Sequence, residues 1–224
     1  MTMLPGFIEN LGESVSIEKR IRDLAAKYAG DLDEVVKARV EEMKEDDISH
    51  YLLYGALGIS HEEGELIDVY QNKGRFLYKY AGSFLEDAAK ICIASRYPDA
   101  RTTRIPNTLG DRPKTFEIDM LVEGVAAIEV KWRDATTDGD HISKEHTRLK
   151  CIAAAGHKPV RVMFYEPNRL QAKKIQLKLA ATYLAEGGEY HAGENAWQWV
   201  RDFTGVDLYE ILQKMDQEVE EGAK

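Results

Sequence analysis

The sequence predicts an α/β protein: a central mixed β-sheet flanked by helices, with helical additions at the N-terminal and C-terminal ends. Three observations lead there. Apolar residues alternate through two short neighbouring runs, 116–122 and 128–132. Helical apolar stripes lie on either side of them, at 74–97 and 141–155. A third apolar run, 160–165, is bracketed by turn residues and followed by another helical pattern. Period-two alternation marks half-buried strands, and recurrence at three and four residues marks amphipathic helices.

From about residue 14 to 70 the chain reads as several helices. Ile17, Ile21, Leu24 and Tyr28 follow one helical face. Leu32, Val35, Val36, Val40 and Met43 follow another, interrupted by Arg39. The segment ISHYLLYGALGIS is denser in apolar residues and is expected to form a buried helix ending near Gly58. A structural or dimer-forming role is the default for this region. In the helix over 74–97, Leu77, Ala81, Phe84, Ala88 and Ile91 form the stripe, and Glu86 lies beside it, one turn after Gly82.

A first strand is expected near 102–106. The next two carry Phe116, Ile118, Met120 and Val122, then Ile128, Val130 and Trp132, on their apolar faces. Glu123-Gly124 between them suits a tight hairpin turn. Residues 133–140 read as a polar loop, with Asp140 placed to cap a helix that ends at Gly156. Pro167 and Asn168 introduce the helix after the 160–165 strand. Two helices close the chain, one with Trp197, Trp199 and Phe203, the other with Leu208, Ile211 and Met215. The expected regions are 1–72 (helical), 73–186 (central α/β) and 187–224 (helical).

The chemistry is concentrated on the hairpin. Side chains two apart on a strand share a face. Glu117 and Asp119 therefore share one on the first strand, and Glu129 and Lys131 share one on the second. Folding the hairpin brings two carboxylates and an ammonium towards one point. Magnesium is held by one or two carboxylates with water and phosphate. It acidifies bound water and stabilises charge developing on phosphorus. A nearby lysine can orient that water or help deprotonate it. Asp119 and Glu129 are thus candidate Mg2+ ligands and Lys131 a candidate water-orienting residue, for cutting a phosphodiester bond. Glu86 is a candidate third carboxylate, through water, against its reading as a surface glutamate. Glu117 reads as a solvated or structural carboxylate.

The spacing alone also fits a surface hairpin with a cross-strand ion pair. A similar pattern, Asp33 with Glu42 and Lys44, shows how little spacing decides. There the context is helical, and Glu42 and Lys44 would lie roughly 200° apart around the axis. The Asp119 set passes the geometric test that this one fails.

The element order, with Asp119 and Glu129-x-Lys131 on adjacent strands, resembles the PD-(D/E)XK nuclease superfamily over about 74–179. Ile118 stands where the family usually has a proline. The stretch KWRDATTDGDHISKEHTR, residues 131–148, resembles the ApaLI-like restriction endonucleases more narrowly. The resemblance implies a restriction-endonuclease-like sheet and Mg2+-dependent cutting of double-stranded DNA by a type II enzyme. It further implies a homodimer on a six-base palindrome, with GTGCAC the first site to test, and a companion DNA methyltransferase encoded genetically rather than bound. Two other functions stay open: a structure-specific repair or recombination nuclease, and a non-catalytic DNA-binding or assembly protein.

DNA contacts are expected from the segment after Lys131 and from nearby basic residues. The candidates are Arg133, Asp134, Asp138, Asp140, His141, Lys144 and Arg148, with Arg104 and Lys114. Arginine pairs with guanine and acids accept from cytosine N4, whereas phosphate contacts only position. His141 and His146 have no zinc constellation around them.

The net charge of −9 over 224 residues argues against a DNA binder until its distribution is read. Residues 96–178 carry 16 Lys and Arg against 11 Asp and Glu, and the remainder carries 14 against 28. The candidate core is locally basic, as phosphate binding requires. A hydrophobic fraction of 44% and mean hydropathy of −0.43 suit a globular chain that buries a sizeable core. The N-terminal residues show no signal-peptide pattern and no run spans a membrane, so a cytoplasmic location is expected. The cysteines, Cys92 and Cys151, read as reduced core thiols.

Overall fold

A computed structural model describes residues 6–133 and 139–222, with side chains over 17–133 and 142–222. Contacts divide the chain into two compact units, residues 1–21 with 85–224, and residues 22–84. The helices α1 (Gly6–Met43) and α3 (His61–Arg96) contribute to both.

The larger unit is built on a five-stranded mixed sheet. Its strands are β1 (Arg101–Pro106), β2 (Thr115–Val122), β3 (Ala126–Arg133), β4 (Pro159–Tyr165) and β5 (Glu189–Ala192), paired in chain order. The β1–β2 and β2–β3 pairs are antiparallel, and β3–β4 and β4–β5 are parallel. The hairpin works as the alternation requires. Phe116, Ile118, Met120 and Val122 are buried, as are Ile128 and Val130. Gly124 supplies the left-handed residue of the turn, at φ 70°, a conformation that glycine adopts without steric cost.

Helices cover both faces. The helices α4 (Gly139–Ala154) and α5 (Leu170–Ala185) meet one face, through Glu145 with Arg161 and Gln176 with Tyr190. The helix α6 (Glu194–Thr204) meets the other, where Trp197 packs on Phe164 and Trp199 stacks on His191. The helix α7 (Leu208–Gly222) follows with Leu208 and Ile211 buried. Ile105, Phe116, Ile118, Leu121, Ala127, Cys151 and Ile152 form an apolar cluster joining the strands to α4. Among the described residues, no helix is long and apolar enough to cross a membrane.

The structure adds an element that sequence reading omitted. β5 spans only four residues, all half-buried, and such a length leaves too little alternation to detect. Gly188 lets it approach β4, because a Cβ there would collide with the carbonyl oxygen and ring of Pro159. Helix limits also move: α3 begins at His61 rather than near Gly74, and α4 begins at Gly139 rather than after Asp140.

The smaller unit corrects another expectation. The helix α2 (Tyr51–Ala56) buries only Tyr51. Leu52, Leu53 and Leu57 are 75%, 65% and 81% exposed, so this segment is not a buried helix. Its apolar density reflects an uncovered face. The N-terminal helices also merge, α1 being one continuous helix of 38 residues.

Both cysteines are free and buried. Burial pushes the Cys92 thiol up to about 12. Burial shields both thiols from reagents, so neither should react with an aromatic disulfide reagent at pH 8 until the protein is unfolded. Rapid labelling of the native chain would contradict this. The raised Cys92 pKa stabilises the fold fully below the unfolded thiol pKa of about 8.5. That contribution is lost as pH rises through the folded value near 12. Alkaline melts of Cys92→Ala should show less pH dependence in that window.

Candidate active site

β2 and β3 part company at the residues that carry the chemistry. Their pairing runs from Val122–Ala126 to Met120–Ile128. One residue further along β2, the Asp119 side chain takes over, its Oδ2 accepting a 2.9 Å hydrogen bond from the Val130 backbone N–H. On the other side, the register of β1 against β2 shifts between Arg101 and Thr103. There the Thr102 hydroxyl donates to the Asp119 carbonyl at 2.8 Å. A bulge beside splayed strands re-aims a side chain, and both backbone polar groups near Asp119 keep partners.

Lys131 gathers the acids. Its Nζ lies 3.0 Å from Glu129 Oε1, 3.7 Å from Asp119 Oδ2 and 3.7 Å from Glu86 Oε1. The four side chains come from α3, β2 and β3, and all belong to the larger unit. Burial works against the Lys131 ammonium, but Glu129, Asp119 and Glu86 outweigh it and raise its pKa. Lys131 is a cation in this arrangement. Burial pushes the Glu86 carboxyl up, Lys131 pulls it down, and Asp119 repels it, with further contributions from a Trp132 backbone hydrogen bond and Glu129. Three carboxylates around one ammonium mark a point where the protein favours positive charge. Their hard oxygen donors suit magnesium. Among the described residues, no group of three His, Cys, Asp or Glu forms a ready-made metal cage.

The second oxygen of Glu129 is held from behind. Arg148 of α4 donates Nη2 to Glu129 Oε2 and, at 3.2 Å, to the Glu117 carbonyl. Its Nη1 donates to Glu145 Oε1 at 3.1 Å. Glu145 Oε1 also accepts from Arg161 at 3.3 Å and from the Tyr183 hydroxyl at 2.6 Å. Burial opposes the Arg148 cation, yet Glu129 and Glu145 hold its pKa above the ordinary value. Charges withdrawn from water need this degree of pairing. Sequence reading missed Glu145, Arg161 and Tyr183. One signal was available: an arginine inside the apolar strand PVRVMFY requires a buried partner.

The other expected residues are dispersed. Arg148 was expected at the DNA surface, but it is 7% exposed and engaged with carboxylates. Arg133 is exposed at the end of β3, and Lys144 and His146 are exposed on α4. Arg104 pairs with Glu117 at 3.0 Å on the exposed side of β1–β2, and Lys114 is exposed just before β2. Asp134 and Asp138 lie outside the described residues, as do the side chains of Asp140 and His141. Lys44, just past the end of α1, pairs with Glu41, and Glu42 pairs with Arg39.

A mixed sheet with two strand carboxylates and a lysine at its splayed hairpin has the equipment of a nuclease. Comparison with family profiles agrees on that class, matching the ApaLI-like restriction endonuclease profile over residues 9–217. The match covers nearly the whole chain, which belongs to the ApaLI-like restriction endonuclease family. No curated protein and no solved structure gives a significant match.

Proposed function

We propose that this chain is a Mg2+-dependent type II restriction endonuclease that cuts both strands of a short palindromic DNA site as a homodimer. The convergence of Asp119, Glu129 and Glu86 on Lys131, in a chain of this family, carries the reading. In this reading Asp119 and Glu129-x-Lys131 are its PD-(D/E)XK motif. Asp119 and Glu129 would hold the metal, with Glu86 as the third carboxylate beside it. When bound, magnesium supplies Lewis-acid stabilisation of the phosphate and a more acidic water.

The remaining work falls to side chains. Lys131, kept charged by its neighbours, donates a hydrogen bond that orients the attacking water. The water oxygen bonds to phosphorus as the bond to the bridging sugar oxygen breaks, and the proton given up by the water is matched by one that solvent delivers to the leaving oxygen. Arg148 holds one oxygen of Glu129, so the other stays aimed at the shared point. Arg133, Lys144, Arg104 and Lys114 contact DNA, with Asp138, Asp140 and His141 in the segment after the motif. A companion methyltransferase protects the host site without forming a complex.

Digestion of a sequenced phage DNA tests this directly. Discrete fragments are expected with magnesium and none with a chelator in excess, and their mapped ends should share one palindrome, with GTGCAC compared first. Cutting only at DNA ends or branches would instead identify a structure-specific nuclease. Arg133→Ala should weaken binding by roughly tenfold, as expected for loss of one charged DNA contact. Unchanged affinity across a library of sites would remove Arg133 from the interface.

A further inference from the structure

A cavity of about 340 Å3 lies in the larger unit, between α5 and the C-terminal ends of β4 and β5, where α6 begins. Met163, Leu177, Ala180 and Tyr190 give it apolar walls, and Gln176 of α5 shares the lining. Gln176 is 6% exposed. Its Oε1 accepts from the Tyr190 hydroxyl at 2.6 Å, and its Nε2 meets no acceptor among the described residues. Buried polar groups are seldom left so. Apolar walls around one unmet amide donor are the composition of a ligand pocket, and the volume falls at the lower end of the range for such pockets.

The cavity adjoins the carboxylate cluster. Met163 is the partner of Lys131 in the parallel β3–β4 pair, so the two side chains leave the same face of the sheet. Adjacent strands lie about 4.8 Å apart, little more than the ~3.4 Å step between base pairs of DNA. A phosphate held at Lys131 therefore brings a neighbouring nucleotide over the cavity. The lining selects the part that enters. Glu166 is exposed and lines the mouth, where it repels phosphate. The walls and the Gln176 amide suit a flat heterocycle. Gln176 can donate to a ring nitrogen or carbonyl oxygen, and Glu166 can accept from an exocyclic amino group. Lys173, also exposed at the mouth, suits the phosphate beside that base. A base still paired in the duplex cannot reach a buried amide, so the occupant has to leave the stack.

We propose that this cavity takes one amino-bearing base of the bound DNA, extruded from the duplex beside the phosphate to be cut, with Gln176 and Glu166 reading its edge. The proposal rests on DNA being the substrate of the neighbouring Asp119–Glu129–Lys131 cluster.

Fluorescence of 2-aminopurine, quenched by stacking and bright when unstacked, tests it. Duplexes are first selected from a random library by binding to the full chain, with calcium in place of magnesium. The probe is then placed at each position of the selected site in turn. One position should brighten several-fold on binding. A mismatch at that position should tighten binding by roughly tenfold, because the unpairing cost is already met, whereas a base read in the duplex would lose affinity. Ala180→Phe fills the cavity, and Gln176→Leu keeps its volume but removes the donor. Both should lose the brightening and the tightening with unchanged circular dichroism, and the wild-type measurements stand without either variant. Flat fluorescence at every position, as for a cavity that holds only water, would overturn the proposal even if the DNA is cut with magnesium. Brightening that survives both variants would overturn it too. A duplex that brightens at one position, loses this with the variants and is never cut supports the pocket and sinks only the nuclease reading. A chain that binds no duplex sinks both.

Discussion

Purified Lys131→Ala protein is expected to lose DNA cleavage by about a thousandfold or more while keeping its fold. Lys131 contacts all three clustered carboxylates, at 3.0 to 3.7 Å. Removing its ammonium leaves Asp119, Glu129 and Glu86 to repel one another, and it deletes the donor proposed to orient the attacking water. Glu129 still has Arg148, so the strand should stay in place. Asp119 calls for a different substitution. Its carboxylate also accepts from Val130 N–H, and alanine would leave that group unpaired at a cost of about 1–3 kcal/mol. Asp119→Asn keeps an acceptor oxygen and removes the charge, so lost cleavage with an unchanged melting temperature would report chemistry alone. Normal turnover in either variant would remove the catalytic assignment.

Arg148→Ala should be the most destabilising single change near the site. Breaking a buried pair costs about 3–5 kcal/mol, because the partner charge stays behind. Here two partners stay behind, Glu129 and Glu145, and Glu145 also accepts from Arg161 and Tyr183. A fall in melting temperature of roughly 10 °C is expected for a chain of this size. Arg148→Lys should recover only part of it, since an ammonium cannot span both carboxylates as a guanidinium fork does. A variant with wild-type melting but altered site preference would make Arg148 a DNA contact after all.

Much of this site was legible in the sequence because strands have so simple a period. Alternation alone assigns Phe116, Ile118 and Val130 to the interior and leaves Asp119 on the other face of its strand and Glu129 and Lys131, two apart, on the other face of theirs. Gly124 marks the turn between them. β5 was not legible, because four residues carry no measurable period. α2 misled, because apolar density reports that a surface seeks cover and not that its own chain supplies it. Arg148 misled for a related reason. In sequence it is one more basic residue after the motif, and only its burial against Glu129 sets it apart.

The order of the central helices and of the first four strands, and the catalytic carboxylates and lysine proposed for β2 and β3, follow from residue type and local periodicity. Those depend on backbone geometry within a few residues. The tertiary structure alone decided that Glu86 of α3 reaches Lys131, and that Arg148, Glu145, Arg161 and Tyr183 close a buried charge network behind Glu129. A period tells a side chain which way to face from its own element. Which distant element it meets is settled only by packing, where each buried charge must find its counter-charge.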